Sequence, residues 1–295
     1  MTGGILCAGR LYCDVVFTGA PRLPTLGTEV FAEGLSLHAG GGAFITGATL
    51  AALGDRATQF SVLPAAPFDA VVLEALRKGG VSSRLCQPAP VGTDSQITVA
   101  IPIANDRAFL TRAAGDALPP LGTFDWTAFS HLHIGELGTL EENPALIEAA
   151  RAAGLSISLD CGWQDAFRPE VRDLIAAVDV FLPNQRELAA LLEVGVPETC
   201  AEVTVVKNGK EGARARMRSQ SAWHHEVPPA VRVIDATGAG DAFNGGFISA
   251  WLKGASLKDC LRQGNACGAA SVQSTGGVGG LATLSQSKSA EPSLH

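Results

Sequence analysis

Short runs of apolar and β-branched residues alternate along this chain with stretches whose apolar positions recur every three to four residues. Residues 5–7 read as a buried strand, 43–53 as a helix, 59–63 as a second strand and 68–78 as a second helix. The pattern continues with strands over 129–134, 156–160, 178–182 and 203–207, and helical stretches over 144–153, 170–177 and 185–193 between them. Strands and helices in alternation predict an α/β chain of three layers, in which helices cover both faces of a mostly parallel sheet. Ligands of such a sheet bind at the carboxyl ends of its strands. Two segments, 14–37 and 93–112, break the alternation. Both hold β-branched runs, Val15-Val16-Phe17 and Gln96-Ile97-Thr98-Val99-Ala100-Ile101, that no helix promptly follows, and on pattern alone they read as irregular edge structure. Residues 285–295 hold too few apolar side chains to pack and read as a frayed tail.

Composition places these elements in one large domain. A chain of 295 residues with 46% hydrophobic and 17% charged residues can bury a substantial core. A formal charge of −7 argues against a nucleic-acid binder, which needs a basic face. No apolar segment reaches membrane length, and Met1-Thr2-Gly3-Gly4 lacks the basic start and apolar core of a signal peptide, so a cytoplasmic protein without a membrane partner is expected. Seven cysteines with no C-x-x-C pair read as reduced, mostly buried thiols.

The chemistry concentrates in the run Asp235-Ala236-Thr237-Gly238-Ala239-Gly240-Asp241, followed by the apolar Ala242-Phe243-Asn244-Gly245-Gly246-Phe247. Glycines at 238 and 240 let backbone N–H groups approach a ligand at the start of a helix, where unpaired donors and the helix dipole favour an anion. Asp241 stands at the mouth of that cradle. A carboxylate beside a phosphate is unfavourable unless it has a task, and accepting the proton of an attacking hydroxyl is such a task; a helix-capping aspartate in a glycine-lined turn is the plainer alternative. A dinucleotide fingerprint is poorly matched, because Phe243 occupies its third small position, and no GxxxxGK[ST] run occurs.

This run resembles the C-terminal signature of the ribokinase-like, or phosphofructokinase-B, carbohydrate kinases. Three further elements follow the family order: Gly40-Gly41-Gly42-Ala43-Phe44 with its ensuing helix, Pro183-Asn184-Gln185-Arg186-Glu187, and Val206-Lys207-Asn208-Gly209-Lys210-Glu211-Gly212. The resemblance implies a three-layer αβα core over 1–13, 38–92 and 113–284, and a small β-sheet lid made from 14–37 and 93–112 that covers the substrate and also serves as a homodimer surface. A lid excludes water that would compete for the phosphoryl group.

Residue roles follow from the same resemblance. Asp241 is the implied base, with the N–H groups of Gly238, Ala239 and Gly240 receiving phosphoryl oxygens. Asp14, Gly40, Gly41 and Glu136 match substrate-binding positions, as an ionised carboxylate is a strong acceptor for sugar hydroxyls. Ile45 falls where many members carry an asparagine, and isoleucine offers a hydroxyl no hydrogen bond. Asn184, Lys207, Gly209, Gly212, Gly240 and Asn265 match ATP-binding positions. Asn184 and Glu187 correspond to residues that organise Mg²⁺ through water, although Asn184 also suits a helix cap. Asp235 and Thr237, with backbone oxygens of Ser271, Ser274 and Gly276, resemble a monovalent-cation loop for K⁺.

Other polar residues have plainer readings. His131 and His133 share one face of a strand near Glu136, and hydrogen-bonded core histidines explain them better than a metal site. Arg107 and Arg112 could meet an acidic substrate or remain solvated. The resulting expectation is an ATP-dependent kinase that phosphorylates an alcohol of a small carbohydrate. The alternatives are a nucleoside kinase, which the apolar Ile45 and Phe44 would suit, and a catalytically silent sugar or nucleotide sensor.

Overall fold

A computed structural model describes residues 3–103, 106–122, 124–281 and 283–284, without the side chains of 102, 106 and 107. The tail expected over 285–295 lies outside these residues. In chain order the strands are β1 (Gly4–Ala8), β2 (Tyr12–Thr18), β3 (Gly34–Gly40), β4 (Ala57–Val62), β5 (Ser82–Gln87), β6 (Ile97–Ile103), β7 (Asp106–Arg112), β8 (Phe129–Ile134), β9 (Ser156–Leu159), β10 (Val180–Phe181), β11 (Val203–Lys207), β12 (Ala213–Met217) and β13 (His224–Glu226). The α-helices are α1 (Gly42–Ala52), α2 (Phe68–Lys78), α3 (Leu137–Glu142), α4 (Ala145–Ala152), α5 (Val171–Ala176), α6 (Gln185–Glu193), α7 (Ala239–Leu252) and α8 (Leu257–Ser271).

Among the described residues the large sheet runs β13-β12-β11-β10-β9-β8-β1-β4-β5. From β5 to β11 every pairing is parallel, and only β12 and β13 turn antiparallel at one edge. Alternation along each strand assigns side chains to the two helical layers. Leu6 and Ala8 of β1 join a core with Leu137 and Leu140 of α3, Leu146 of α4, Ile175 of α5 and Leu191 of α6. Ile5 and Cys7 point the other way, into a core with Phe44 and Ala48 of α1, Leu76 of α2 and Ile248 of α7. Helices α1 and α7 are buried almost throughout, whereas α2, α4 and α6 bury a single stripe each.

The histidines of β8 lie inside this packing. His131 bonds Ser156 and Ser158 through its two ring nitrogens at 2.8 Å each, and His133 Nδ1 lies 2.9 Å from Ser158 Oγ. Burial holds both imidazoles neutral, down to a pKa of about 3.

The two segments that interrupted the alternation form a separate four-stranded sheet, ordered β3-β2-β6-β7. Its strands begin earlier and end later than the segment 14–37, because Tyr12 pairs with Gly40 at its base. Strand β2 pairs antiparallel with β3 and parallel with β6, so both segments are needed to build it. One face carries Asp14, Val16, Ser36, His38, Ala100 and Phe109 towards a chamber. The other carries a row of Leu37, Val15, Val99 and Leu110, aligned by direct cross-strand pairing.

Strand order reverses at β1: the chain proceeds to β4 and β5 on one side, then crosses to β8 on the other. Crevices open at the carboxyl ends of strands flanking such a switch point. Gly9 and Arg10 follow β1, Gly135 and Glu136 follow β8, and Asp160 follows β9.

Candidate active site

Two chambers open near the amino ends of α1 and α7. The first, about 430 Å³, is lined by Gly42, Gly135, Glu136, Asp160, Gly162, Asn184, Glu187, Lys207, Gly209, Gly240 and Asp241. The second, about 760 Å³, lies under the small sheet and includes Asp14, His38, Ile45, Asp235, Thr237 and Gly276. A β-carbon on Gly238 would lie 2.8 Å from Ile45 Cδ1, and one on Gly277 would lie 2.6 Å from it, so Ile45 is wedged between two glycine loops.

Asp241 sits in the first turn of α7, after Gly238 takes the left-handed conformation at the helix N-cap, φ 73°. Its backbone carbonyl accepts from Thr46 Oγ1 of α1 at 3.0 Å. Its carboxylate abuts Gly42: a β-carbon there would lie 2.7 Å from Asp241 Oδ1. Burial, with the negative charge of Asp160 next, raises the Asp241 pKa to about 8; Lys207 opposes the rise.

Lys207 ends β11 and points into the first chamber. Its ammonium donates to both Asp160 oxygens, at 2.9 and 3.1 Å, and to Asn244 Oδ1 at 3.0 Å. Asn244 Nδ2 in turn donates to Asp160 Oδ2 at 2.6 Å. Burial alone would lower the Lys207 pKa, but Asp160, Glu187 and Asp241 outweigh it and hold the ammonium above its usual range. The same ammonium lies 3.5 Å from where a Gly240 β-carbon would stand, beside the glycine cradle.

Asn184 and Glu187 form a capping box: Asn184 Oδ1 accepts from Arg186 and Glu187 N–H at 2.9 Å, and Glu187 Oε2 accepts from Asn184 N–H at 2.7 Å. Both also line the first chamber. Burial raises Glu187 to a pKa of about 7. Glu136 accepts from Arg10 N–H at 2.9 Å and Thr139 Oγ1 at 2.5 Å, and burial raises its pKa also.

Under the small sheet, Asp14 lies over Gly40, where any β-carbon would collide with its carboxylate. Burial lifts Asp14 to about 7, against the Thr98 hydroxyl that favours its ionised form. Gly41 takes φ 115° with its α-carbon against the Arg10 carbonyl. Asp235 Oδ1 accepts from Thr237 N–H and Oγ1 at 2.8 and 2.6 Å, and Oδ2 accepts from Gly276 N–H at 3.0 Å. Ser271 Oγ donates to Gly277 O at 3.1 Å, and Ser274 Oγ is buried without a hydrogen-bond partner among the described residues.

The structure therefore brings Asp241, Gly240, Glu136, Asn184, Glu187, Lys207 and Gly209 to one chamber, and Asp14, Ile45, Asp235, Thr237 and Gly276 to the other. Asn265 lines neither; its amide donates to the Glu226 carbonyl at 2.8 Å, and Gly212 packs on that same carbonyl. Arg112 is paired with Asp94, and the Arg107 side chain lies outside the described residues. Sequence reasoning missed Asp160, Asn244 and Gly42. A charged residue closing an apolar strand, as Asp160 does, and an asparagine inside the apolar run after Asp241 were the available signals.

Cradle N–H groups, a lysine and a carboxylate at a helix amino end suit chemistry on an anionic group. The 2-dehydro-3-deoxygluconokinase of Bacillus subtilis (strain 168) is 34% identical over 163 residues, 49% of this chain and 50% of that protein. The ribokinase of Arabidopsis thaliana is 30% identical over 151 residues, 46% and 39% of the two chains. The chain thus spans half or less of the length of these curated relatives. Its fold matches that of Arabidopsis thaliana ribokinase complexed with ribose and ATP, with a TM-score of 0.81 at 20% identity over 97% of this chain and 99% of that one. The nucleoside kinase of Methanocaldococcus jannaschii matches with a TM-score of 0.81 at 19% identity, over 97% and 99%. The pattern that defines one family of carbohydrate kinases matches residues 22–284, most of the chain and all four glycine- and asparagine-bearing elements; the protein belongs to the pfkB family.

Proposed function

We propose that this protein transfers the γ-phosphoryl group of ATP to an alcohol of a small carbohydrate. The observation that carries this reading is Asp241, held between the amino ends of α1 and α7 in the wall of the first chamber, beside the glycine cradle. On this reading the acceptor lies under the small sheet, which acts as a lid, with Asp14 and Glu136 as hydroxyl acceptors. The triphosphate lies along Gly240, Gly209 and Lys207, and Asp241 takes the hydroxyl proton as the new O–P bond forms. The N–H groups of Ala239 and Gly240 stabilise charge on the transferring oxygens.

Among the described residues no cluster of three or more His, Cys, Asp or Glu side chains is placed to hold a metal ion unaided, so a divalent cation here would be held through water and the nucleotide phosphates. Asn184 and Glu187 would hold Mg²⁺ through water, and the ion would supply neutralisation of phosphate charge. The Asp235–Thr237 turn, with the unpartnered Ser274 hydroxyl nearby, suits K⁺. A homodimer through the small sheet accounts for Leu110 at 75% exposure and Leu37 at 40%, at the two ends of one apolar row. Among the described residues no helix is long and apolar enough to cross a membrane, and all seven cysteines are free, which suits a cytoplasmic site. Ile45 favours a second reading, a nucleoside acceptor, since it offers no hydrogen bond to a polyol.

ADP release from ATP with Mg²⁺ and K⁺ across pentoses, hexoses, sugar acids and nucleosides tests the proposal. A substrate-dependent signal absent from Asp241→Asn, with ATP binding retained, is expected. Equal turnover by the variant would remove Asp241 from its role, and ligand binding with no ADP release under any acceptor would favour a sensor.

A further inference from the structure

Four chain segments pass between the two sheets: into β2, out of β3, into β6 and out of β7. One residue touches all four. Arg10 itself lies on the first, between β1 and β2. Its carbonyl packs against Gly41, which connects β3 to α1. Its guanidinium donates at 2.7 Å to Oε1 of Gln96, the residue before β6, and at 2.9 Å to the carbonyl of Gly115, three residues past β7. Its other terminal nitrogen, Nη2, donates to both Glu142 oxygens, at 2.8 and 2.7 Å, at the far end of α3.

Arg10 is only 6% exposed, and burying a guanidinium is costly unless its donors are matched. A pairing with Glu142 alone would satisfy the charge at the core. The donors spent on Gln96 and Gly115 instead tie the small sheet to the large one. Meanwhile its backbone N–H is bonded to Glu136 Oε1 at 2.9 Å, so the same residue reaches the wall of the first chamber. We infer that Arg10 is a positioning residue: it pins the small sheet over the acceptor chamber and registers Glu136 to that placement. The assignment of an acceptor to that chamber rests on the function proposed above, whereas the pinning itself does not.

A rigid planar fork can serve Gln96, Gly115 and Glu142 together, and a lysine ammonium on a flexible stem cannot. Hydrogen exchange on the full chain, wild type against Arg10→Lys, reads the consequence by region. Amides of β2, β3, β6 and β7 are expected to exchange about tenfold faster or more in the variant, while β8 to β11 keep their wild-type rates. Gln96→Met, which leaves the Glu142 pair intact, should loosen β6 and β7 in the same direction. Uniform acceleration of both sheets would make Arg10 a general stabiliser, and unchanged exchange in the small sheet would remove the pin; either result overturns the inference. With an acceptor from the panel, Arg10→Lys should raise the acceptor KM at least about fivefold more than the ATP KM, and equal rises would overturn the link to the acceptor chamber. If wild type turns over no acceptor, the proposed function fails while the exchange pattern still decides the role of Arg10.

Discussion

Lys207→Met removes the one cation among the described residues lining the first chamber, leaving Glu136, Asp160, Glu187 and Asp241 without it. At 2.9 Å from Asp160, attraction at an effective dielectric constant near 20 is about 6 kcal/mol. Desolvation of the ammonium offsets part of this, and loss of one partner from a buried pair costs about 3–5 kcal/mol net. At about 2–4 °C per kcal/mol for a chain of this size, the melting temperature should fall by roughly 6–20 °C. Differential scanning calorimetry at pH 8.5 and pH 5.5 is the assay. The loss should be larger at pH 8.5, where Asp241, raised to about 8, is mostly ionised and needs the lysine, than at pH 5.5, where it holds a proton. Adding Asp160→Asn to Lys207→Met should restore at least about half of the loss, because removing both charges leaves neither stranded. A single variant melting within about 2 °C of wild type at pH 8.5, or a double variant less stable than the single, would refute the electrostatic account.

Gly42→Ala places a β-carbon 2.7 Å from Asp241 Oδ1 and 2.9 Å from the Gly135 carbonyl; displacement of Asp241 should cost about 100-fold or more in acceptor-dependent ADP release, and undiminished turnover would show that this approach has no role. Leu110→Asp puts a charge at the β7 end of the apolar row on the small sheet and should convert a dimer to a monomer in sedimentation velocity; a wild type that is already monomeric sinks the dimer proposal. The melting temperature without ligands should fall as pH rises from 6.5 to 8.5. Asp14 and Asp241 keep protons in the folded state to about pH 7 and about pH 8, whereas unfolded carboxyls release theirs near pH 4, so folding binds protons in this window. His131 and His133, lowered to about 3, act the other way and only below about pH 6.5, where the unfolded chain takes protons that the folded one refuses. A flat profile between 6.5 and 8.5, or one that Asp241→Asn fails to flatten, would contradict this sign.

The α/β alternation was legible because its strands are buried on both faces: all five residues of β1, Gly4 to Ala8, are buried, which leaves a continuous apolar or small run in the sequence. Strand β12 was not legible. Its sequence, Ala213-Arg214-Ala215-Arg216-Met217, alternates with arginine and has little β propensity; it forms because Ala213 and Ala215 meet the α7–α8 core while Arg214 and Arg216 stack on Trp223 outside. The pairing of β2 with β6 carries no local signal, since its residues lie some eighty positions apart; only the family resemblance implied that 14–37 and 93–112 build one sheet. Motif residues at strand ends were easy to nominate, because glycine pairs and Asn-x-x-Glu have mechanical reasons for their spacing. Arg10 shows no such spacing, and only the crossing of four chain segments gives it meaning.

The hidden partners explain why the legible ones can be where they are. Asp160 is buried, Asp241 and Glu187 are half-buried beside it, and desolvation drives Asp241 and Glu187 to hold protons near neutral pH. One lysine cannot ionise all of them, so in the absence of other cations the chamber stores protons rather than charge. A nucleotide brings more negative charge into the same space. On the proposed reading, that addition is tolerable only if cations arrive with it, at Asn184 and Glu187 and along the cradle of α7. Asp241, raised to about 8 by burial, would take a hydroxyl proton only once ionised, a state that added cations would favour and added phosphate charge would oppose.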